Sequence, residues 1–281
     1  MSYEFIESQQ RGGVLIITIN DPRTRNALGD EMANEIFQEL DRFEKDPDCR
    51  VLVLTGKDPA FSSGANVRLF DKGIREDEKR TAEKETPLMP WERIDPRRAP
   101  SAEVVGVRSL PLRFHRLQKP SIAAVNGHAF GIGMGLALSC DIRIASENAR
   151  FSEAFIRNGL IPADGSCWQL PRLIGLSNTL LLQYTGDALS GQEAYNLGIC
   201  SKVVPHEELM KTTLELAERL ASGPTFAMSL IKYLVFESLS MNFEESMKLA
   251  GPAQELARQT EDHKEGVRAF LEKRKPQFKG R

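Results

Sequence analysis

Residues 121–140, which read SIAAVNGHAFGIGMGLALSC, decide the fold of this chain. The apolar run Ser121–Val125 predicts a buried β-strand, and the small apolar residues from Gly133 to Cys140 predict a helix. Glycines between them allow backbone N–H groups to approach a ligand closely, and the start of a helix adds partial positive charge there. This stretch therefore predicts a strand–turn–helix unit with a binding site at the turn.

A second segment of the same kind, Phe61–Asn66 (FSSGAN), follows the predicted strand Val51–Thr55. Right-handed crossover connections between parallel strands place the carboxyl ends of both strands at one edge of the sheet. Two backbone N–H groups aimed at one position there would form an oxyanion hole for a carbonyl oxygen. Either segment alone is more often a plain tight turn, but the two together favour a catalytic site.

The rest of the chain has the pattern of an α/β protein. Val14–Ile19 predicts a strand that ends in a turn at Asn20–Pro22, and Asp30–Phe43 has apolar residues at helical spacing. The strand–helix–strand order predicts a mainly parallel sheet with helices outside it. The C-terminal part predicts four helices: Glu207–Ala221, Pro224–Leu239, Phe243–Gln259 and Glu261–Lys275.

Length and composition argue against several classes of protein. With 281 residues, 41% of them hydrophobic, the chain is long enough for one large α/β domain or a core with a small appendage. A net charge of −2 gives no electrostatic reason to expect nucleic-acid or membrane binding. No segment approaches the ~20 apolar residues that span a bilayer, and the N-terminus has no targeting pattern, so a cytoplasmic protein is expected. Four dispersed cysteines predict buried, reduced thiols and no metal site.

These segments resemble the crotonase (enoyl-CoA hydratase/isomerase) superfamily. Besides the two glycine segments, the resemblance rests on Asn20–Leu28, Cys140–Ala145, Pro171–Gly175 and Glu265–Lys275. It implies an α/β fold, a crotonase-type spiral of ββα turns with a C-terminal helical region. Residues 1–205 would form the core with the CoA and oxyanion-hole site, and residues 206–281 a helical trimerisation region. It also implies an acyl-CoA thioester substrate and a homotrimer or homohexamer.

The resemblance assigns roles to single residues. Ala65 and Ile132 fall where the superfamily has its two oxyanion N–H donors, and isoleucine in place of glycine should narrow the pocket. The positions that would meet CoA are Arg23, Arg25, Ala27, Ser63, Ala65, Asn66, Phe270 and Lys273. Phe270 and Lys273 are expected on one face of the last helix, where they would reach the CoA of a neighbouring subunit. An exposed basic face is the alternative. No cofactor beyond the CoA moiety of the substrate is implied.

Residues 71–111 differ from the rest, because they are charged, contain five prolines and lack sustained periodicity. They predict a helix at about Asp71–Glu85 followed by an irregular loop as far as Pro111. The resemblance implies that this region covers the acyl pocket. It makes Leu88, Met89, Trp91 and Val104 candidate lining residues, with simple disorder as the alternative.

The acid/base groups depart from the superfamily's pattern. Gly135 and Phe155 occupy the positions that correspond to the two hydratase glutamates, and neither can transfer a proton. Two other carboxylates are candidates: Glu153, on a predicted strand end, and Asp164, in the loop before a helix. Asp164 would alternatively cap that helix, and both roles stay open. Asp141 is expected to be structural.

A single usable carboxylate favours an enoyl-CoA double-bond isomerase. In such an enzyme one acid/base group moves a proton between two carbons through an oxyanion-stabilised thioester enolate. An enoyl-CoA hydratase with a rearranged acid/base set is the second hypothesis. An acyl-CoA hydrolase that uses Asp164 or Glu153, and a non-catalytic acyl-CoA binder, are the remaining alternatives.

Overall fold

The computed structural model of the chain describes residues 3–66 and 105–281. The predicted helix at Asp71–Glu85 and the candidate lining residues Leu88, Met89, Trp91 and Val104 lie outside that part. A 3-10 turn at Gly106–Ser109 leads directly into the helix Leu110–His115. Pro111 lies in the first turn of this helix, where its missing N–H removes no internal hydrogen bond. The expectation of an irregular loop was therefore wrong for residues 106–111, and the earlier part of that loop lies outside the described residues.

Two sheets organise the described residues. The strands are β1 (Ile6–Arg11), β2 (Val14–Ile19), β3 (Val51–Gly56), β4 (Ala60–Ser62), β5 (Ser121–Val125), β6 (His128–Phe130), β7 (Ile142–Ser146), β8 (Arg150–Ser152), β9 (Leu189–Ser190) and β10 (Lys202–Val204). One sheet has the order β1-β2-β3-β5-β7-β10 and the other β4-β6-β8-β9. Only β1 with β2 and β8 with β9 pair in antiparallel fashion in this part of the chain. The predicted mainly parallel sheet is confirmed, and the antiparallel edge strand β1 is an addition.

The helices follow the strands in a repeating order. They are α1 (Asp30–Lys45), α2 (Leu110–His115), α3 (Ile132–Ser139), α4 (Ser166–Thr185), α5 (Gly191–Leu197), α6 (Leu209–Ala221), α7 (Thr225–Ser238), α8 (Phe243–Arg258) and α9 (Glu261–Leu271). β5 and β6 lead into α3, and β7 and β8 lead into α4, so each turn adds one strand to each sheet and then a helix. This is the spiral of ββα turns that the resemblance implies.

Strands of the six-stranded sheet pack against apolar side chains on both faces. In β2, Leu15 and Ile17 belong to one buried cluster, and Val14 and Ile16 belong to the other. Burial on both sides explains why these strands are continuous apolar runs. α6 contributes Ala217 to the second cluster, so this helix packs on the sheet although it follows residue 205. The division of the chain at 205 stays a prediction.

The C-terminal helices have shifted ends relative to the prediction. Residues His206–Glu208 form a 3-10 turn, so α6 begins at Leu209 rather than at Glu207. α9 ends at Leu271 rather than at Lys275. Lys273 has a φ of 54°, outside the range of a right-handed helix. The chain therefore leaves the helix between Phe270 and Lys273, and the expectation that they share a helical face was wrong.

The structure also shows where the four cysteines lie and bears on metal ligands and membrane-spanning helices. Cys49, Cys140 and Cys200 are buried free thiols as expected, but Cys167 is exposed. Its Sγ atom lies 3.7 Å from the Oε1 atom of Gln183, because α4 consists of two helical segments that meet at a kink at Gly175, where φ is 76° and ψ is 169°. Within residues 3–66 and 105–281, no group of three His, Cys, Asp or Glu side chains is placed to hold a metal ion. In the same ranges, every helix is too short or too polar to cross a membrane.

Candidate active site

The two glycine segments lie side by side at one end of the four-stranded sheet. β4 and β6, which overlap these segments, pair in parallel. A Cβ atom added to Gly64 would lie 2.7 Å from the Phe130 carbonyl oxygen, and one added to Gly133 would lie 2.8 Å from the Ser62 Cβ atom. Real Cβ contacts are longer, so the segments approach this closely because both residues are glycine. The two segments that the sequence paired are therefore in contact.

Ala65 and Ile132 each present a backbone N–H group at this junction. Gly131 turns the chain with a φ of 49°, and Ile132 is the first residue of α3. Within the described ranges, no hydrogen bond uses the N–H group of Ala65 or of Ile132. The first N–H groups of a helix have no acceptor inside the helix. Both groups are therefore able to donate to a ligand.

The loop that contains Arg23 and Arg25 is tied to the first glycine segment. The N–H group of Ser63 donates to the Arg25 carbonyl oxygen at 2.9 Å, and that of Leu28 donates to the Gly64 carbonyl oxygen at 2.8 Å. These bonds bring together six of the candidate CoA-binding residues, namely Arg23, Arg25, Ala27, Ser63, Ala65 and Asn66. The side chain of Arg23 is almost fully exposed.

Asn26 holds this loop in its conformation. Its side chain is fully buried, and its φ of 59° lies in the left-handed region that asparagine tolerates. Its Nδ2 atom donates to the carbonyl oxygens of Lys57 and Ala60, at 2.8 and 2.6 Å. Its Oδ1 atom accepts from the N–H group of Asp21 at 2.9 Å. No role was predicted for Asn26 from the sequence, because the two acceptors of its Nδ2 atom are more than 30 residues away.

Phe270 is 83% exposed near the end of α9. It borders a groove of about 420 Å³ between α7, α9 and the C-terminal tail. Other residues of this groove are Phe226, Val267 and Phe278. Phe270 is therefore available for a contact outside its own helix, and its part in CoA binding stays a prediction, as does that of Lys273.

The Asp164 carboxyl group occupies the space beside Gly135 in α3. A Cβ atom added to Gly135 would overlap the Asp164 Oδ2 atom and lie 2.5 Å from its Cγ atom. Asp164 is 3% exposed, and its Oδ2 atom has no hydrogen-bond partner among the described residues. Gly135 follows Ile132 by three residues, which is about 4.5 Å along a helix axis. An unpaired carboxyl oxygen thus lies within about one helical turn of the N–H group of Ile132.

Glu153 and Asp164 are joined through the hydroxyl group of Ser166. The Ser166 Oγ atom lies 2.7 Å from Glu153 Oε2 and 2.8 Å from Asp164 Oδ1. The N–H group of Ser166, the first residue of α4, donates to Asp164 Oδ1 at 3.1 Å. Gly165 and not Asp164 is the N-cap residue, yet one oxygen of Asp164 binds a free N–H group of the helix. Asp164 therefore stabilises the start of α4 through its Oδ1 atom while its Oδ2 atom stays unpaired.

Both carboxyl groups of this pair have raised pKa values. Burial raises the pKa of Glu153 to about 8, and the neighbouring charge of Asp164 adds to that rise. Burial also raises the pKa of Asp164, but the hydrogen bonds from the side chain and backbone of Ser166 oppose the rise. Burial therefore favours the protonated form of Glu153, while the hydrogen bonds from Ser166 favour the ionised form of Asp164.

Neither Phe155 nor Asp141 supplies a free proton-transfer group. A Cβ atom added to Gly131 would lie 3.6 Å from the Phe155 ring, so this ring packs beside the turn that starts α3. Asp141 accepts a hydrogen bond from the N–H group of Ser121 at 2.8 Å and forms an ion pair with Lys232, also at 2.8 Å. These contacts join a strand end to α7, which agrees with the structural role expected for Asp141.

A cavity of about 330 Å³ adjoins Asp164. Its walls include Leu112, His115, Ser139, Trp168 and Gln169. The rings of His115 and Trp168 meet edge to face, with centroids 5.4 Å apart, and burial lowers the pKa of His115. A largely apolar cavity with a few polar groups is typical of a small-ligand site.

Ser166 connects the two candidate carboxylates and was not predicted from the sequence. A serine two residues after an aspartate is typical of a short side-chain turn, and the contact with Asp164 has that local form. The contact with Glu153 spans 13 residues. No pattern in the sequence signals it.

The ββα spiral and the paired glycine turns define a class of α/β protein, and comparison with known families identifies it. The enoyl-CoA hydratase/isomerase family matches residues 9–101 and 101–281. The chain therefore belongs to the enoyl-CoA hydratase/isomerase family, within the crotonase superfamily.

Several relatives are similar over nearly their whole length. The chain is 36% identical over 281 residues to the 1,2-epoxyphenylacetyl-CoA isomerase of Escherichia coli K12, with 99% of each chain covered. It is 34% identical to the mitochondrial enoyl-CoA hydratase of Pongo abelii, with 99% of this chain and 89% of the relative covered. The crystal structure of an enoyl-CoA hydratase from Bacillus anthracis matches with a TM-score of 0.84 and 29% identity, over 99% of this chain and 100% of that one.

Proposed function

We propose that this chain is an acyl-CoA enzyme, and specifically an enoyl-CoA isomerase that moves a double bond through a thioester enolate. Family membership supports the substrate class, because both relatives named above are CoA-thioester enzymes by name. The observation that supports the reaction is the buried, unpaired Oδ2 atom of Asp164 beside Gly135. It provides one acid/base group close to the start of α3.

In this proposal the N–H groups of Ala65 and Ile132 donate to the thioester oxygen of the substrate. The Asp164 carboxylate removes a proton from a carbon next to the double bond, and the negative charge moves onto the thioester oxygen. The same carboxyl group then returns the proton to the other end of the delocalised system. Asp164 ends as a carboxylate, so the reaction balances without a second acid or a redox cofactor.

The proposed CoA contacts come from the tied loop and the C-terminal region. Arg23 and Arg25 would meet the phosphates and adenine moiety of CoA. The backbone at Ser63 and Ala65 would meet the adenine amino group, with Ala27 and Asn66 beside them. The hydrogen bonds between the loop and the first glycine segment support this arrangement, because they hold the two groups of residues next to each other.

An enoyl-CoA hydratase is the second candidate. Glu153 supports it, because hydration uses two acid/base groups and Glu153 is a second buried carboxyl group joined to Asp164 through Ser166. The mitochondrial relative is a hydratase by name. The two candidates differ in whether water is added to the double bond of the substrate.

A panel of enoyl-, dienoyl- and β-keto-thioesters of CoA distinguishes the reactions. We expect a shift of conjugated absorbance with no gain of water and no loss of the thioester bond, because one unpaired carboxyl oxygen suits proton transfer between carbons. Product mass separates isomerisation from hydration, and release of free CoA indicates a hydrolase. Robust hydration of crotonyl-CoA would contradict the isomerase proposal. Saturable binding without turnover would reduce the chain to a binder.

We also propose that the chain assembles as a homotrimer or homohexamer in which Phe270 reaches a neighbouring subunit. Light scattering should therefore give at least three times the chain mass of 31.4 kDa. Phe270→Ser should weaken CoA binding more than Phe243→Ser, a change at an equally exposed phenylalanine on α8. A monomer at 31.4 kDa with full CoA affinity would contradict the shared site.

A further inference from the structure

We infer that Glu153, Ser166 and Asp164 form a unit that holds a single proton, in which neutral Glu153 positions ionised Asp164 as the base. The role of Asp164 as base rests on the proposed function. The proton count does not, because it follows from the contacts of the three side chains. In this unit Glu153 is a positioning residue and does not touch the substrate.

The number of hydrogens on Ser166 sets the charge of the pair. The Ser166 Oγ atom is within hydrogen-bond distance of one oxygen of Glu153 and one of Asp164, at 2.7 and 2.8 Å. A hydroxyl group has one hydrogen, and an ionised carboxylate can only accept. If both carboxyl groups were ionised, one contact would join two acceptors in a buried site. Both contacts are hydrogen bonds only when one carboxyl group is protonated and donates to the Ser166 Oγ atom.

The surroundings identify the protonated partner as Glu153. Asp164 Oδ1 also accepts from the N–H group of Ser166, and α4 places its positive N-terminal end there. Both features stabilise a negative charge on Asp164. Glu153 is fully buried, and its Oε1 atom has no partner in the described part of the chain. The Glu153 carboxyl group therefore donates to Ser166, and the Ser166 hydroxyl group donates to Asp164.

Few other charges act on this unit within the described residues. α3 presents Gly135 to Asp164 and contains no ionisable side chain. The 3-10 turn Ala154–Asn158 contains Arg157, which points to the exposed Asp187 at 3.8 Å. α4 contributes the thiol of Cys167, whose pKa is raised chiefly by burial. Arg108 and His115 border the cavity beside Asp164, and burial lowers the pKa of His115.

This arrangement leaves one oxygen of Asp164 for the reaction. Two donors from Ser166 fix the Oδ1 atom, while the Oδ2 atom beside Gly135 stays unpaired. When Oδ2 takes a proton from the substrate, the pair becomes neutral. The only negative charge is then on the enolate, so no second buried charge opposes it.

Infrared spectroscopy of the full-length protein at pH 7 tests the proton count without substrate. We expect a C=O stretching band from a buried neutral carboxylic acid in the wild type. Glu153→Gln should remove this band, and Asp164→Asn should keep it. Ser139→Ala, a change at a buried serine of α3 that bonds the Gly135 carbonyl oxygen, is the control and should keep the band. Loss of the band in Asp164→Asn alone, or its absence from the wild type, would overturn the inference.

The dependence of stability on pH gives a second readout. Because the folded-state pKa of Glu153 is raised from 4.5 to about 8, the unfolded chain releases this proton first. The free energy of unfolding of the wild type therefore falls as pH rises from 4.5 to about 8. Glu153→Gln removes this contribution to the pH dependence. The melting temperature of Glu153→Gln relative to the wild type should rise between pH 4.5 and about 8 and then level off. A constant difference across this window would contradict a protonated Glu153.

Turnover separates positioning from catalysis. The amide of Glu153→Gln can still donate to Ser166, so kcat at pH 7 should stay within about fivefold of wild type, the worth of one net hydrogen bond. Wild-type kcat should fall above about pH 8, where Glu153 ionises, and Glu153→Gln should lack that fall. A loss in Glu153→Gln as large as in Asp164→Asn would overturn the inference. If the chain has no isomerase activity, the infrared and melting experiments still test the proton count.

Discussion

Asp164→Asn is expected to lower kcat for double-bond isomerisation by ~10²–10⁴-fold, the usual contribution of a general acid/base group. Asparagine keeps an acceptor oxygen for the two hydrogen bonds from Ser166, so the start of α4 should be unchanged. Asparagine and aspartate also serve about equally well at helix starts. The change therefore removes proton transfer and leaves the local fold.

Steady-state kinetics with an enoyl thioester, together with a melting curve, measures this effect. The loss should appear in kcat, with KM and the melting temperature close to wild type. Asp187→Asn is a matched control, because this aspartate follows the other end of α4 and is exposed. Retained turnover in Asp164→Asn would assign Asp164 to the helix start alone, and the search for the base would move to Glu153.

The elements of this fold were predictable because their signals are local. The apolar runs of β2, β3 and β5 and the helical spacing of α1 lie within single stretches of sequence, and burial on both faces of the sheet maintains them. Strand β1 was missed, since its sequence IESQQR is largely polar and only pairing with β2 makes it a strand. The start of α9 at Glu261 was predicted, but its C-terminal end was not, because the left-handed turn at Lys273 has no glycine to signal it.

The candidate site was predictable only in part. Ala65 and Ile132 were found because each belongs to a glycine turn after a strand, and the contact between the two turns follows from parallel pairing of β4 and β6. The pairing of Glu153 with Asp164 depends on Ser166, and no sequence spacing encodes a contact that two loops create. From the sequence, Gly135 was predicted to stand where the superfamily has an acid. In the structure this glycine also provides the space that Asp164 fills.

Gly135→Ala is accordingly expected to lower kcat by ~10²-fold, because the added methyl group takes the place of the Asp164 Oδ2 atom. The carboxyl group or α3 must move, and the hydrogen bonds to Ser166 are strained. Overpacking of this kind costs about 1–3 kcal/mol of stability. Gly251→Ala is the matched control: this glycine lies in α8 with no atom within 4 Å of an added Cβ. There alanine should stabilise the helix by up to ~1 kcal/mol and leave kcat unchanged.

A double-mutant cycle shows whether the contact between Gly135 and Asp164 causes these losses. Asp164→Gly removes the carboxyl group and the Cβ atom, which would lie 2.9 Å from an added Cβ at residue 135. In that background Gly135→Ala should cost little or no stability, so the coupling free energy from denaturant unfolding should be about 1–3 kcal/mol. Turnover should stay low in both, because neither variant has the base in place. An equal destabilisation by Gly135→Ala in the two backgrounds would mean that the methyl group conflicts with another part of the core, and that Gly135 does not make room for Asp164.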